Sequence, residues 1–159
     1  MSNGVDFVPL PDLVDLKMGE TIIANQCTGD GFPVFSADKS TSPWNYSSKI
    51  KVINSRGTLV VGARGTIGYP RLPNFDKFGA TQTTIVVTPK SCAVDSVFLY
   101  YCLRGVNFSA ITAQQAVPML TVADLRKVQI PWFSSRTQQK IARILQTIDR
   151  AIEQTEALI

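Results

Sequence analysis

Two apolar, β-branched runs dominate the chain, Thr-Leu-Val-Val at 58–61 and Thr-Thr-Ile-Val-Val-Thr at 83–88. Their continuous rather than alternating character predicts strands buried on both faces. Weaker signals predict short strands at 16–18, closed by Gly19, and at 33–35. Residues 11–14 read as one helical turn with Pro11 at the first helical position. The composition of 95–104 is helical, with Asp95 as N-cap and Gly105 just past the end. Thr121-Val-Ala-Asp124 has the form of a capping box, and residues 127–130, ahead of Pro131, read as an edge strand.

The clearest periodicity lies at the end of the chain. Ser135-Arg-Thr-Gln138 fits a capping box, and neither Gly nor Pro follows it. Ile141, Ile144, Leu145, Ile148, Ala151, Ile152, Leu158 and Ile159 form a stripe at helical spacing. Lys140, Arg143, Gln146, Asp149, Arg150 and Glu153 fill the opposite face. About 24 residues at the α-helical rise give a rod of roughly 36 Å. Such a stripe can pack on its own domain, but its apolar finish at Leu158 and Ile159 favours a partner.

Between these elements lie two long polar stretches. Residues 24–49 are rich in Gly, Pro, Ser, Thr and Asn, and 69–79 form a second loop bearing prolines, aromatics and basic groups. Loops of such length in a compact domain are either functional or disordered. The pattern predicts an α/β (α+β) fold: a small mixed sheet with short helices over 1–134, then a long coiled-coil-type amphipathic helix over 135–159.

Charge sharpens this picture. Residues 1–38 carry six acids against Lys17, whereas 39–90 carry eight basic side chains against Asp76 alone. A basic block inside a mixed chain with a net charge of +4 is the footprint of a surface facing nucleic acid. An ordinary solvated basic face is the competing explanation. No apolar run approaches the ~20 residues of a membrane span, and the first residues lack the basic and apolar regions of a secretory signal. The expectation is therefore a cytoplasmic protein with no membrane partner.

Candidate catalytic chemistry is thin. Without histidine, the chain has no ordinary general base near neutral pH and no Ser-His-Asp or Cys-His site of its own. Cys27, Cys92 and Cys102 form no CxxC pair, so the expectation is reduced thiols, Cys102 in the core, and no metal. A small hydrolase fails on the same grounds. Gly62, Gly65 and Gly68 allow sharp turns, but they form neither G-x-G-x-x-G nor a P-loop. Ser42-Pro43-Trp44 resembles the Asp/Asn/Ser-Pro-Pro-aromatic motif of DNA methyltransferases. It lacks the second proline and any glycine-rich cofactor motif, so a self-sufficient methyltransferase is excluded.

What remains is a set of candidate DNA contacts. Lys39, Trp44, Asn45, Tyr46 and Lys49 lie in one loop, and Arg64, Thr66, Tyr69, Arg71 and Lys77 lie around the other. Gln114 and Gln115 follow in a polar stretch. Arg and Lys suit guanine edges or phosphates, Asn and Gln suit adenine edges, and aromatics stack on bases. Each taken singly fits a phosphate or structural contact better than a base reader.

Read in order, the motifs resemble a half-length specificity (S) subunit of type I restriction-modification systems. The resemblance rests on Leu10-Pro-Asp-Leu-Val14 through Gly19, Pro33-Val-Phe-Ser36, and Leu59-Val-Val-Gly-Ala-Arg-Gly-Thr-Ile-Gly68. It continues through Phe98-Leu-Tyr-Tyr101, Gln115 before Pro118-Met-Leu120, and Leu125 through Ile130-Pro131. It closes on Gln138-Gln-Lys-Ile-Ala-Arg-Ile-Leu145 with Ile148-Asp149. No single motif is decisive, but the ordered set spans essentially the whole chain.

The resemblance implies a non-catalytic target recognition domain followed by a conserved-region helix. In that family two such units share a polypeptide, their helices pair antiparallel as a spacer, and each domain reads half of a bipartite site in the major groove. The implied partners are double-stranded DNA, an adenine methyltransferase subunit and, through it, a restriction endonuclease subunit. No cofactor is expected on this chain; S-adenosylmethionine and ATP belong to the partner subunits. This sequence holds one unit only, which implies a natural half subunit or a truncated or divided one. Homodimerisation, or pairing with another S half, is expected through Ile141, Ile144, Leu145, Ile148, Ile152 and Leu158. The alternatives are a detached recognition domain of a fused restriction-methyltransferase, or an anti-restriction decoy that binds methyltransferase subunits. Neighbouring methyltransferase and endonuclease reading frames would discriminate among these.

Overall fold

The computed structural model describes residues 4–112 and 116–158. Gln114 and Gln115, named above as candidate DNA contacts, lie outside the described residues, as does Ile159. In chain order the elements are β1 (Phe7–Pro9), α1 (Leu10–Leu13), β2 (Val14–Met18), a 3-10 turn (Ala24–Gln26), β3 (Phe32–Phe35), β4 (Asn45–Ser47) and β5 (Asn54–Ser55). They continue with β6 (Leu59–Gly62), β7 (Pro70–Arg71), β8 (Lys77–Ala80), β9 (Thr84–Pro89) and α2 (Ser96–Arg104). Then come α3 (Phe108–Thr112), α4 (Val122–Leu125), β10 (Gln129–Pro131) and α5 (Ser135–Glu156).

The two apolar runs become β6 and β9, paired antiparallel with Val60 opposite Val86. They form the middle of a four-stranded sheet ordered β2-β9-β6-β7. Alternate residues of this pair enter two different cores. Leu59, Val61, Ile85 and Val87 join Phe98, Leu99 and Leu103 of α2 in the larger core. Val60 and Val86 join Phe35, Phe78 and Ala80 in a smaller one. The continuity of both runs therefore comes from layering on both faces of an antiparallel sheet.

The smaller core sits under a second four-stranded sheet, β4-β3-β8-β5, in which β3 and β8 run parallel and the other pairs antiparallel. Phe35 and Phe78 meet edge-to-face across it, centroids 5.6 Å apart. A third, two-stranded sheet joins β1 to β10. The expected mixed sheet is thus present as one of three sheets among the described residues.

Several local expectations need correcting. Residues 24–49 are not a continuous loop: they hold the 3-10 turn and β4, whose Asn-Tyr-Ser sequence has no strand signature and depends on pairing with β3. The stretch 69–79 likewise contains β7 and the start of β8. Pro70 is tolerated because β7 is an edge strand. Val14 belongs to β2 rather than to the preceding helical turn. Gly105 is itself the C-cap of α2, in right-handed conformation. Asp95 does cap α2, accepting a 2.8 Å bond from the Phe98 amide, and Thr121 and Asp124 form both arms of their capping box.

The largest local correction concerns the start of α5. Its N-cap is Ser134, whose hydroxyl accepts from the Thr137 amide, not Ser135 in a box with Gln138. Gln138 is fully buried instead. Its Oε1 accepts from the Asp95 amide at 2.9 Å, and its Nε2 donates to the Ala93 and Phe133 carbonyls. Tertiary bonding to the start of α2 outcompeted the local cap. The same turn of helix buries Ala142 in the larger core, with Ile141 packed against it.

Candidate nucleic-acid interface

The 62–68 turn owes its shape to its glycines. A Cβ on Gly62 would lie 1.9 Å from the Thr66 carbonyl oxygen. Gly68 has φ +72° and meets the Phe108 ring, so only glycine fits there. The turn closes through a 2.7 Å bond from the Gly68 amide to the Gly62 carbonyl. Arg64 sits exposed on its outside, Nε 3.1 Å from the Met119 sulfur, with Thr66 half-buried beside it.

The loop at 36–41 packs directly against this turn. Its root is pinned by a hydroxyl cluster: Ser36 Oγ, Thr81 Oγ1 and Thr83 Oγ1 lie 2.8–3.2 Å apart, and the Ala37 amide donates to Thr83. Arg71, on β7, fixes the rest of the loop. Its guanidinium donates to the Ser36 carbonyl, to Asp38 Oδ1 at 2.9 Å and to the Ser40 carbonyl at 2.9 Å. It also lies 5.0 Å from the centre of the Phe35 ring. Burial pulls the Arg71 pKa below its usual value, against the opposing effect of Asp38.

These contacts bring Lys39 to Tyr69, the ammonium 5.8 Å from the ring centre. Lys39, Tyr69 and Arg71 line one wall of an open cleft of about 450 Å³. The facing wall consists of Tyr100 and Tyr101 from α2 with Gln146, Asp149, Arg150 and Glu153 from α5. Asp149 accepts from the Tyr101 hydroxyl at 2.8 Å and from Arg104 at 3.0 Å, which ties the middle of α5 to α2. Burial, and then the bond to Asp149, push the Tyr101 phenol well above its ordinary pKa.

The remaining candidates are spread over the neighbouring surface. Trp44, just before β4, and Tyr46, on it, flank Asn45 at the free edge of the second sheet, and both are exposed. Lys49 follows, exposed, and Lys77 projects from β8 opposite Ser55 of β5. Thus the segments 36–41 and 62–71 are physically joined, while the β4 edge and Lys77 do not line the cleft. Arg71, one of the candidate DNA contacts, is buried, and its Nη1 and Nη2 donate within the fold.

Sequence reasoning missed the hydroxyl cluster and the Tyr100, Tyr101 and Asp149 wall. Ser and Thr carry no pattern of their own, but paired tyrosines on an amphipathic helix were a visible signal. On α5, Ile141 faces the domain, contrary to its placement in the partner seam, and Leu145 is half-buried. Ile144, Ile148, Ile152 and Leu158 are exposed. No helix among the described residues is long and apolar enough to cross a membrane.

Comparisons with known proteins agree with this architecture. The family described as "Type I restriction modification DNA specificity domain" matches residues 3–159. The MjaIX type I restriction enzyme specificity subunit of Methanocaldococcus jannaschii is 31% identical over 102 residues, covering 62% of this chain and 23% of that protein. Among solved structures, the S subunit from M. genitalium superimposes with TM-score 0.71 at 23% identity, over 99% of this chain and 43% of its own. A chain from a study of type I restriction-modification complex assembly and conformational transition gives 0.81 at 19% identity, over 99% and 41%. The HsdS subunit from Thermoanaerobacter tengcongensis gives 0.77 at 18% identity, over 99% and 40%. This chain therefore spans less than half the length of each of these relatives. With the family match running over nearly all of it, the chain belongs to the type I restriction-modification DNA specificity domains, a family of non-catalytic DNA-recognition proteins.

Proposed function

We propose that this chain reads one half of a bipartite DNA site and serves as a specificity module for an adenine methyltransferase. The family match over residues 3–159 carries the reading. The joined loops at 36–41 and 62–71 would form the reading surface, with Lys39, Arg64, Thr66 and Tyr69 nearest the duplex. Trp44, Asn45, Tyr46, Lys49 and Lys77 would extend it along the second sheet, and Gln114 and Gln115 would add base-edge contacts. The concentration of basic side chains in 39–90 supports that placement.

In the same proposal α5 has two duties. Its inward face, Gln138, Ile141 and Ala142, anchors it to the domain. Its outward face, Ile144, Ile148, Ile152 and Leu158, would pair with a second copy or another S half and dock the methyltransferase. The endonuclease would join through that subunit. S-adenosylmethionine and ATP would be bound by those partners, in the cytoplasm, and not by this chain. A symmetric pair would specify an interrupted palindrome.

The experiment is selection of duplexes from a random pool by the purified chain, with and without a methyltransferase subunit. Enrichment of a half-site is expected, and binding should weaken with log salt by about 0.9 per phosphate neutralised. No sequence enrichment in either arm would remove the proposal.

A further inference from the structure

Arg71 is an odd residue to bury. Only 7% of it is exposed, and its single carboxylate partner, Asp38, keeps 37% of its side chain in water. Removing a guanidinium from water costs more than one half-solvated ion pair returns, so stability alone does not account for it. The partners that Arg71 does hold are all on one short segment: the Ser36 carbonyl, the Asp38 carboxylate and the Ser40 carbonyl. These bracket Lys39, which projects from between them toward Tyr69.

The platform beneath is rigid. β7 is hydrogen-bonded to β6, with Arg71 opposite Val60 of the smaller core. The Phe35 ring supports the guanidinium from β3. The planar fork thus transmits the position of two sheets to a loop that has no regular structure of its own.

Resting on the DNA-recognition reading above, we infer that Arg71 is a positioning residue for sequence recognition. It fixes the 36–41 loop so that Lys39 and Tyr69 present one defined surface, without itself touching DNA. Recognition of a base edge depends on donor geometry, whereas phosphate attraction tolerates a loose loop. Loss of Arg71 should accordingly erase discrimination and spare non-specific binding.

Three full-length chains separate these roles: wild type, Arg71→Met and Lys39→Ala. Arg71→Met should stay folded but melt below wild type, because the Ser36 and Ser40 carbonyls and the Asp38 carboxylate lose their donor. Amide exchange in 36–42 should rise in Arg71→Met, whether or not DNA is present. In pool selection, its preference for the wild-type sequence over an unrelated duplex should fall by about tenfold, comparable to loss of one base contact. Its salt slope should match wild type, while that of Lys39→Ala should drop by about 0.9. Arg71→Lys, which restores charge without the planar fork, should recover discrimination only in part.

Unchanged amide exchange in 36–42 overturns the inference whatever the DNA result. A reduced salt slope with intact preference in Arg71→Met also overturns it, because Arg71 would then be a phosphate contact. Enrichment of the same sequence by Arg71→Met and wild type removes the inference but leaves the recognition reading standing. No enrichment by wild type removes both.

Discussion

Among the thiols, Cys102 lies on α2 against the larger core, and burial raises its pKa to about 11. Almost none of it is thiolate at neutral pH, and the thiolate is the reactive form. Cys92 is exposed just before the same helix. A thiol-alkylating reagent followed by mass spectrometry should therefore modify Cys92 in the folded protein and Cys102 only on unfolding; equal rates would contradict the packing. The Thr121–Asp124 box makes a second residue-level case. The Thr121 hydroxyl, donating at 2.6 Å, holds the Asp124 carboxyl below its ordinary range. A carboxyl depressed in the folded state stabilises above its unfolded pKa, and that contribution is lost as pH falls through the folded value. Thr121→Ala should cost about 1 kcal/mol at neutral pH by urea titration, with a smaller difference in strong acid. This box was legible from four residues because its bonds are local. The role of Arg71 was not, because its partners lie 31–35 positions away.

Elements differed in legibility for the same reason. β6, β9 and α2 are visible as runs because their own side chains fill the cores. β4, β7 and β8 are set by neighbours: β4 by pairing with β3, β7 by pairing with β6, and β8 by lying between β3 and β5. Periodicity also located α5 but could not say which of its faces turns inward. The deciding group is Gln138, polar and fully buried, with three hydrogen bonds to 93–95 and 133. Gln138→Leu would leave the Asp95 amide and the Phe133 carbonyl short of a partner, at about 1–3 kcal/mol for each group left unsatisfied, while the Ala93 carbonyl keeps the Ser135 hydroxyl. Denaturant unfolding should show a loss of that order, and exchange of the first amides of α5 should rise with it. A stability unchanged from wild type would mean that the docking of α5 rests on Ala142, Ile141 and the Asp149 bonds to α2 instead.

For the molecule as a whole, the anchored base of α5 and its exposed seam decide how two such units would meet. Asp149, tied to Tyr101 and Arg104, keeps the helix against α2 through its middle turns. Ile144, Ile148 and Ile152 recur every fourth residue and are 49–62% exposed. Residues at this spacing share one helix face. Two copies pairing by a two-fold axis would bury the same three positions on each. Ile148, central among them, is the place to break the pair. Ile148→Asp puts a carboxylate into that seam, yet in the isolated chain it only exchanges one exposed side chain for another. The expected result from light scattering is a mass that rises with concentration for wild type and stays at one chain for Ile148→Asp. Melting of the two at low concentration should agree to within about 0.5 kcal/mol, as for other surface substitutions. Wild type at one chain throughout the concentration range would exclude self-pairing through α5 and leave the seam to a different S half or the methyltransferase. A dimer that survives Ile148→Asp would place the interface elsewhere, and the proposed spacing of two reading surfaces by α5 would fall with it.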